Sequence, residues 1–179
     1  MQVQPPHYKE NSQMDIDKTR ILVVSDTHGS NRPFIEVLKK EAPFDMLIHC
    51  GDIQGNIYSI IGQDPPYQVY VVKGNCDYSD YPSDILIDSA GHRILVTHGH
   101  ENGLNVRYSN TGLYSAAAKK HADVVLFGHT HVSEIEERNG IFLMNPGSLS
   151  QPRGSKEPTY GILELEKGQY PRMYINLAE

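Results

Sequence analysis

Tryptophan is absent from this chain of 179 residues, and cysteine occurs only at Cys50 and Cys76. The chain also has no excess of basic residues and no long apolar segment. Two cysteines are too few for a disulfide framework, which excludes the disulfide-rich secreted modules. No run approaches the roughly 18 apolar residues that a membrane-spanning helix needs. Sixteen basic residues against 22 acidic ones give a net charge of −6, which argues against general affinity for nucleic acid or anionic membranes.

The first 18 residues do not resemble a secretory signal. They include two prolines and no apolar block, so the hydrophobic segment of a secretory signal is missing. We therefore expect a flexible N-terminal tail over 1–18, a single domain over 19–179 and a cytoplasmic protein.

Short apolar runs alternate with amphipathic segments along the rest of the chain. Their periodicity predicts strands at 20–25, 45–50, 68–72 and 124–127, and helices at 33–41, 56–62 and 111–121. Three hairpins are expected over 84–97, 132–144 and 159–177, the second around Asn139-Gly140, a pair typical of tight hairpin turns. Strand-helix-strand order followed by hairpins predicts a mixed α/β layered fold.

Histidine is abundant, and five of the nine histidines lie in three short motifs. Polar motifs follow five of the predicted strands, with the sequences DTH (26–28), GD (51–52), GNCD (74–77), HGH (98–100) and GHTH (128–131). Because ligands of α/β sheets bind beyond the carboxyl ends of strands, we expect these motifs to converge. The candidate metal ligands are Asp26, His28, Asp52, Asn75, His98, His129 and His131.

This ligand set combines carboxylate, amide and imidazole groups, which suits Mn²⁺, Fe or Zn²⁺ better than Ca²⁺ or Mg²⁺. Seven ligands are too many for one ion and fit two ions that share a carboxylate. Two ions roughly 3.5–4 Å apart can hold the attacking and leaving oxygens of a phosphoryl displacement.

In this order, the five motifs resemble those of the calcineurin-like metallophosphoesterase superfamily, and within it the small YfcE-type phosphodiesterases. The resemblance extends from Arg20 over nearly all of the chain. It implies an α/β fold, a mixed-sheet β-sandwich flanked by helices in four layers, with the site at one rim. It also implies a first metal ion held by Asp26, His28, Asp52 and His131. The second would be held by Asp52, Asn75, His98 and His129, with manganese expected first and nickel, zinc or iron as alternatives.

The expected reaction is hydrolysis of a small phosphodiester by hydroxide bound to both metals, because no Ser, Cys or Lys lies in an evident nucleophile–base arrangement. Many larger relatives have histidine in place of Cys76, and that histidine is thought to protonate the leaving group together with the following acid, here Asp77. His100 is the first candidate to replace it and Cys76 the second, and a good leaving group could also depart without a proton donor. Asn75 completes the predicted catalytic set.

Two other functions stay open. A phosphomonoesterase or nucleotidase usually needs an arginine clamp, which the five motifs lack. A non-catalytic scaffold would resemble the retromer subunit that shares this fold. Association into a homo-oligomer is also left open.

Several polar residues outside the motifs have simpler explanations. We expect His49 in the core and His92 in solvent, and we interpret Arg32 and Arg153 as surface residues. The segment Asn-Pro-Gly-Ser at 145–148 is interpreted as a turn, with a role facing the site as the alternative.

Overall fold

The computed structural model describes residues 17–101, 106–154 and 156–178. Its helices are α1 (Asn31–Glu41), α2 (Ile57–Ile61) and α3 (Thr111–Lys120). Its strands, in chain order, are β1 (Lys18–Val24), β2 (Met46–His49), β3 (Gln68–Val71), β4 (Asp84–Ser89), β5 (His92–Thr97), β6 (Val124–Leu126), β7 (Ser133–Arg138), β8 (Ile141–Pro146), β9 (Thr159–Glu166) and β10 (Arg172–Leu177). The predicted tail lies outside the described residues except for its last two, and Lys18 already belongs to β1.

The strands form two five-stranded sheets that mix parallel and antiparallel pairs. The first sheet has the order β10-β9-β1-β2-β3, in which β1, β2 and β3 are parallel. The second has the order β4-β5-β6-β8-β7, in which β5, β6 and β8 are parallel. Antiparallel pairs lie at both edges of the second sheet and at the β10 edge of the first, whose other edge strand, β3, is parallel to β2.

Residues of the central strands alternate between two buried layers, because successive side chains point to opposite faces of a sheet. In β1, Ile21 and Val23 pack between the two sheets, whereas Leu22 and Val24 pack with residues of α1 and α2. In β6, Val125 packs with residues of α3. The layer order is therefore helix, sheet, sheet, helix, which confirms the predicted sandwich. Burial of both faces also explains the near-continuous apolar sequences of these strands.

The parallel strands deliver five loops to one rim of the sandwich. After β1, the Asp26 N–H donates to the Gly51 carbonyl after β2 at 3.0 Å. After β6, the Gly128 N–H donates to the His98 carbonyl after β5 at 3.3 Å. All five polar motifs therefore follow strands that end at this rim.

The predicted turn at Asn139-Gly140 agrees with the structure, whereas the predicted environment of His92 does not. Asn139 and Gly140 both have positive φ, as the tight hairpin between β7 and β8 requires. The prediction that His92 is solvated is wrong: the residue is only 9% exposed, and its Nδ1 lies 2.6 Å from Asp123 Oδ2. Within the described ranges, no helix is long and apolar enough to cross a bilayer.

A largely buried ionic cluster joins β1, α1 and β9. Arg20 Nη1 donates to the Glu41 carbonyl at 2.6 Å, and Tyr160 donates its hydroxyl to Glu41 Oε1 at 2.6 Å. Arg20 Nη2 also lies 2.5 Å from Glu41 Oε2. Burial alone would raise the pKa of Glu41, but the bonds from Tyr160 and Arg20 hold it below its ordinary value. A carboxyl with a lowered pKa stabilises the fold above its unfolded-state pKa, and this contribution is lost as the pH falls through the folded-state pKa.

We expect Glu41→Gln to lower the free energy of unfolding by about 1–2 kcal/mol at pH 7, because both partners lose a charged acceptor. The loss should shrink as the pH falls below the ordinary glutamate pKa of about 4.3 and through the lowered folded-state pKa of Glu41, where the wild-type carboxylate takes up its proton. Urea unfolding followed by circular dichroism, at pH 7 and over a series of lower pH values, measures the loss in the free energy of unfolding. The control is Glu36→Gln, an exposed residue of α1 paired with Arg32, which should cost less than about 0.5 kcal/mol. Equal losses of unfolding free energy for the two variants would contradict a stabilising role of the Glu41 carboxylate.

Candidate metal centre

Two carboxylates lie at the centre of the rim. Asp26 is completely buried and Asp52 is 2% exposed. His98 Nε2 lies 3.5 Å from Asp52 Oδ2 and 4.0 Å from Asp26 Oδ1, so one imidazole faces both carboxylates. These three side chains offer ligand atoms that all lie within 4.8 Å of one another and form a first group able to hold a metal ion.

A second group of possible ligands consists of Asp26, His28 and His131. His131 Nε2 lies 3.1 Å from Asp26 Oδ1 and 3.2 Å from His28 Nε2. His28 Nε2 is 3.8 Å from both Asp26 Oδ1 and Asp52 Oδ2. The two groups share Asp26, and His28 also approaches Asp52, so the groups are continuous.

The other two predicted ligands lie on the outer side of His98. Asn75 Oδ1 is 3.3 Å from His98 Nε2. The His129 ring centroid is 5.2 Å from that of His98, but His129 Nε2 accepts a hydrogen bond from Arg107 Nε at 3.0 Å. His129 belongs to none of the compact ligand groups found among the described residues. The structure thus gathers all seven predicted ligands at the rim, with His129 at its edge.

Backbone carbonyls fix which ring nitrogen of two histidines faces the carboxylates. His98 Nδ1 lies 2.6 Å from the Cys50 carbonyl, and His131 Nδ1 lies 2.7 Å from the Gln151 carbonyl. A carbonyl oxygen only accepts, so each Nδ1 carries a proton and donates it. In the neutral imidazoles the Nε2 lone pairs then point toward the carboxylates, as in metal-binding histidines whose other nitrogen bonds a carbonyl.

One oxygen of the Asp26 carboxylate accepts no hydrogen bond from the described residues. Asp26 Oδ2 accepts hydrogen bonds from Ser25 Oγ at 2.6 Å and from the His129 N–H at 3.1 Å. Asp26 Oδ1 is buried, and within the described residues it accepts no hydrogen bond. A buried acceptor without a donor is costly, and a cation between it and the facing lone pairs removes that cost. The residues present therefore fit a metal ion.

Charge at the rim is balanced between the carboxylates and the histidines. Burial alone would raise the pKa values of both Asp26 and Asp52. His131 and His98 nevertheless hold the pKa of Asp26 below its ordinary value, and His98 does the same for Asp52. In turn, Asp52 and Asp26 raise the pKa of His98 against the effect of its burial, and Asp26 raises that of His131. A divalent cation would neutralise the same two carboxylates in place of the imidazole protons.

The backbone at the ligands is unusual. Five of the seven predicted ligands have positive φ, a conformation that non-glycine residues rarely adopt; the values are 52° for Asp26, 45° for His28, 57° for Asp52, 70° for His129 and 62° for His131. Such conformations persist only where the surroundings hold them, and they are concentrated at functional sites.

Asp77, a predicted catalytic residue, makes hydrogen bonds to backbone amides alone in this structure. Its Oδ2 accepts from the N–H groups of Asp52 and Gly74, each at 2.8 Å, and its Oδ1 accepts from that of Gln54 at 2.7 Å. The side chain is buried. Both carboxylate oxygens thus fasten the loops after β2 and β3 to each other.

The two candidate proton donors lie on either side of the ligands. The His100 side chain is 20% exposed, its ring centroid is 5.2 Å from that of His98, and its buried Nδ1 has no partner within the described residues. Burial and the positive charge of His98 lower the pKa of His100. Cys76 Sγ accepts from Asn75 Nδ2 at 3.2 Å, and burial together with Asp52 raises the pKa of the thiol.

Polar residues outside the five motifs hydrogen-bond to the loops that carry the predicted ligands. Ser148 Oγ donates to the Asp26 carbonyl at 2.7 Å. Asn145 Nδ2 donates to the Gly128 carbonyl and to Thr130 Oγ1, both at 3.0 Å. His49 is buried in the core as predicted, with Nε2 3.0 Å from Thr27 Oγ1. The predicted turn at 145–148 is wrong for its first two residues, because Asn145 and Pro146 end β8. The segment acts on the site chiefly through backbone carbonyls, and its sequence does not identify those partners.

The comparison with known proteins decides the family. The calcineurin-like phosphoesterase superfamily domain matches residues 19–168. The probable metallophosphoesterase YsnB of Bacillus subtilis is 38% identical over 149 residues, which cover 82% of this chain and 84% of that protein. This chain belongs to the calcineurin-like phosphoesterase superfamily. It is a metal-dependent phosphoesterase, as the five motifs predicted.

Other members of the superfamily extend the comparison. Phosphodiesterase YfcE of Escherichia coli is 27% identical over 171 residues, covering 81% of this chain and 87% of that protein. The solved structure of a predicted phosphoesterase from Streptococcus pneumoniae has a TM-score of 0.71 and 26% identity, covering 89% of this chain and 98% of that one. Zinc-bound Vps29 of Entamoeba histolytica has a TM-score of 0.67 and 19% identity, covering 89% and 99%; at this identity the similarity shows the fold alone.

A close approach of two loops gives a direct test of the geometry. A Cβ at Gly74 would lie 2.0 Å from Asp52 Oδ1 and 2.2 Å from the Asp52 nitrogen. We expect Gly74→Ala to displace Asp52 and to weaken Mn²⁺ binding by roughly tenfold or more, because ligand orientation sets metal affinity.

Elemental analysis after dialysis against limiting Mn²⁺ measures this effect. Gly55→Ala is the matched control, because an added Cβ there meets no atom within 4 Å and the variant should retain wild-type metal content. Equal metal content in the two variants would show that Asp52 does not depend on this approach.

Proposed function

We propose that this phosphoesterase hydrolyses small phosphodiesters at a centre of two divalent metal ions. The observation that carries the proposal is the convergence of Asp26, Asp52, His98 and His131, whose facing ligand atoms lie 3.1–4.0 Å apart. The phosphodiesterase name of the Escherichia coli relative supports the preference for diesters.

The proposed ligands divide into two sets that share Asp52. Asp26, His28, Asp52 and His131 would hold the first ion, and Asp52, Asn75, His98 and His129 the second. The distances from His28 Nε2 to both carboxylates support the first set, and those from His98 Nε2 to Asp52 and Asn75 support the second. Manganese suits this mixture of oxygen and imidazole ligands, with nickel, zinc and iron as alternatives.

When bound, such ions would polarise phosphoryl oxygens and bring the pKa of water down to roughly 7. The chain itself supplies orientation and a proton. His98 and His131 are oriented through their Nδ1 hydrogen bonds to carbonyls. We assign Asp77 to positioning, because backbone N–H groups bond both of its carboxylate oxygens. His100 is the proposed donor of a proton to the leaving oxygen, and Cys76 is the weaker acid because its pKa is raised.

Metal-stripped protein should hydrolyse bis-p-nitrophenyl phosphate only after Mn²⁺, Ni²⁺ or Zn²⁺ is added. Asp52→Asn and His131→Gln should each lose roughly 100-fold or more in rate, because each removes a ligand at the centre of the cluster. His121→Asn is the control: it removes an exposed histidine at the end of α3, where φ is 55° and asparagine is tolerated. Failure of every metal to stimulate hydrolysis by the wild type would refute the proposal.

His100→Gln tests the proton donor through the leaving group. We expect a loss of roughly 100-fold or more on methyl phenyl phosphate and a much smaller loss on methyl p-nitrophenyl phosphate, whose leaving group departs without a proton. Cys76→Ala should change both rates little. Equal losses on the two esters would assign His100 to positioning, and a loss that depends on the leaving group in Cys76→Ala would transfer the role to the thiol.

One observation keeps a monoesterase as the second candidate, because it supplies the arginine that the five motifs lack. Arg107 lies beside His129, and an arginine suits the dianion of a phosphomonoester. Rates on p-nitrophenyl phosphate and bis-p-nitrophenyl phosphate, which share a leaving group, separate the two functions. The scaffold hypothesis has support from the fold alone, and every predicted ligand position retains a metal-binding residue. A cytoplasmic location and a homo-oligomer stay predictions.

A further inference from the structure

Arg107 is a cationic side chain at the rim that none of the five motifs contains. It is exposed, and its Nε donates a hydrogen bond of 3.0 Å to His129 Nε2. The His129 ring in turn lies 5.2 Å from that of His98, between centroids. The guanidinium is therefore hydrogen-bonded to one of the proposed metal ligands.

The backbone on both sides of Arg107 is fixed to the fold. Val106 is 6% exposed and packs against Gly99 of the HGH motif, where an added Cβ would lie 2.9 Å from Val106 Cγ2. On the other side, Asn110 Nδ2 donates to Glu134 Oε1 and Glu136 Oε2 of β7, both at 2.9 Å. A residue held between these two anchors is placed at the rim by the structure, unlike a free surface arginine.

Most of the donors of Arg107 remain available. An arginine has five N–H donors, and within the described residues only Nε of Arg107 has a protein partner. Its partner is an imidazole, whereas Arg20, Arg93 and Arg172 each pair with a carboxylate. Within the described residues, no acidic side chain matches this positive charge and the two terminal nitrogens have no protein partner.

We propose that Arg107 binds the non-bridging oxygens of the phosphoester through its two terminal nitrogens and so orients the substrate over the metal centre. The inference rests on the proposed function, and it names the arginine clamp for the anionic substrate that the motifs lack. A planar guanidinium matches two phosphate oxygens bidentately and adds orientation as well as attraction. Diesters and monoesters both carry at least two non-bridging oxygens, so the clamp serves either class.

Steady-state kinetics of the metal-loaded full chain test this role on bis-p-nitrophenyl phosphate and p-nitrophenyl phosphate. Arg107→Ala should lower kcat/KM by roughly ten- to a hundredfold on both esters, with a raised KM, because a charged hydrogen-bonded pair is lost. Arg107→Lys should recover part of this loss, since it restores the charge without the fork. Arg172→Ala, at the edge strand β10, is the matched control and should stay within about twofold of the wild type.

Unchanged kinetics of Arg107→Ala in an active enzyme overturn the inference and leave the proposed function intact. Absence of hydrolysis by the wild type with every metal defeats the proposed function instead, and binding then decides the role of Arg107.

Calorimetric titration with inorganic phosphate provides that second measurement. Metal-loaded Arg107→Ala should bind phosphate roughly tenfold or more weakly than the wild type, with the same metal content by elemental analysis. A fall in metal content with unchanged phosphate affinity would mean that Arg107 only holds His129, and this result would overturn the inference.

Discussion

The rest of this structure depends on two buried carboxylates that lie together at one rim of the sandwich. Asp26 and Asp52 are almost completely removed from water, and a buried carboxylate is strongly destabilising unless charge and hydrogen bonds compensate it. His98 and His131 provide that compensation through Nε2, because backbone carbonyls hold the Nδ1 of each ring. One oxygen of Asp26 still lacks a hydrogen bond within the described residues, and this deficit is what a metal ion would remove.

The layered fold explains how such a rim can be built. The central strands are buried on both faces and most of their side chains serve packing, whereas the predicted ligands lie in the loops that follow them. Those loops turn sharply enough to place five ligands at positive φ. Asp77 holds two of the loops through their amides, and Ser148 and Asn145 hold two more through their carbonyls. The polar network behind the ligands thus maintains a backbone that is strained in isolation.

Much of this arrangement could be predicted because the informative residues are neighbours in sequence. A short apolar run followed at once by Asp-Thr-His or Gly-Asp reports both the strand and the ligand, and the parallel order of strands brings the loops together. The mixed α/β class and the turn at Asn139 follow from the alternation of apolar runs with amphipathic segments and from known turn chemistry, whereas the order of the layers is implied by the family resemblance.

Contacts between distant residues could not be predicted in the same way. Ser148 bonds Asp26 across 122 positions of sequence, and His92 bonds Asp123 across 31. These pairings depend on the relative placement of loops, which periodicity does not encode. Arg107 belongs to the same class: it reaches His129 because Val106 packs on Gly99, and a single exposed arginine carries no local signal of that contact.

Anomalous X-ray diffraction from crystals soaked in Mn²⁺ would examine the central claim most directly. Two side chains of the rim, Asp26 and Asp52, should then border a pair of anomalous peaks roughly 3.5–4 Å apart. Asp52 should contact both peaks, and His98 and His131 should contact one each through Nε2. A single peak, or two peaks elsewhere on the protein, would contradict the account.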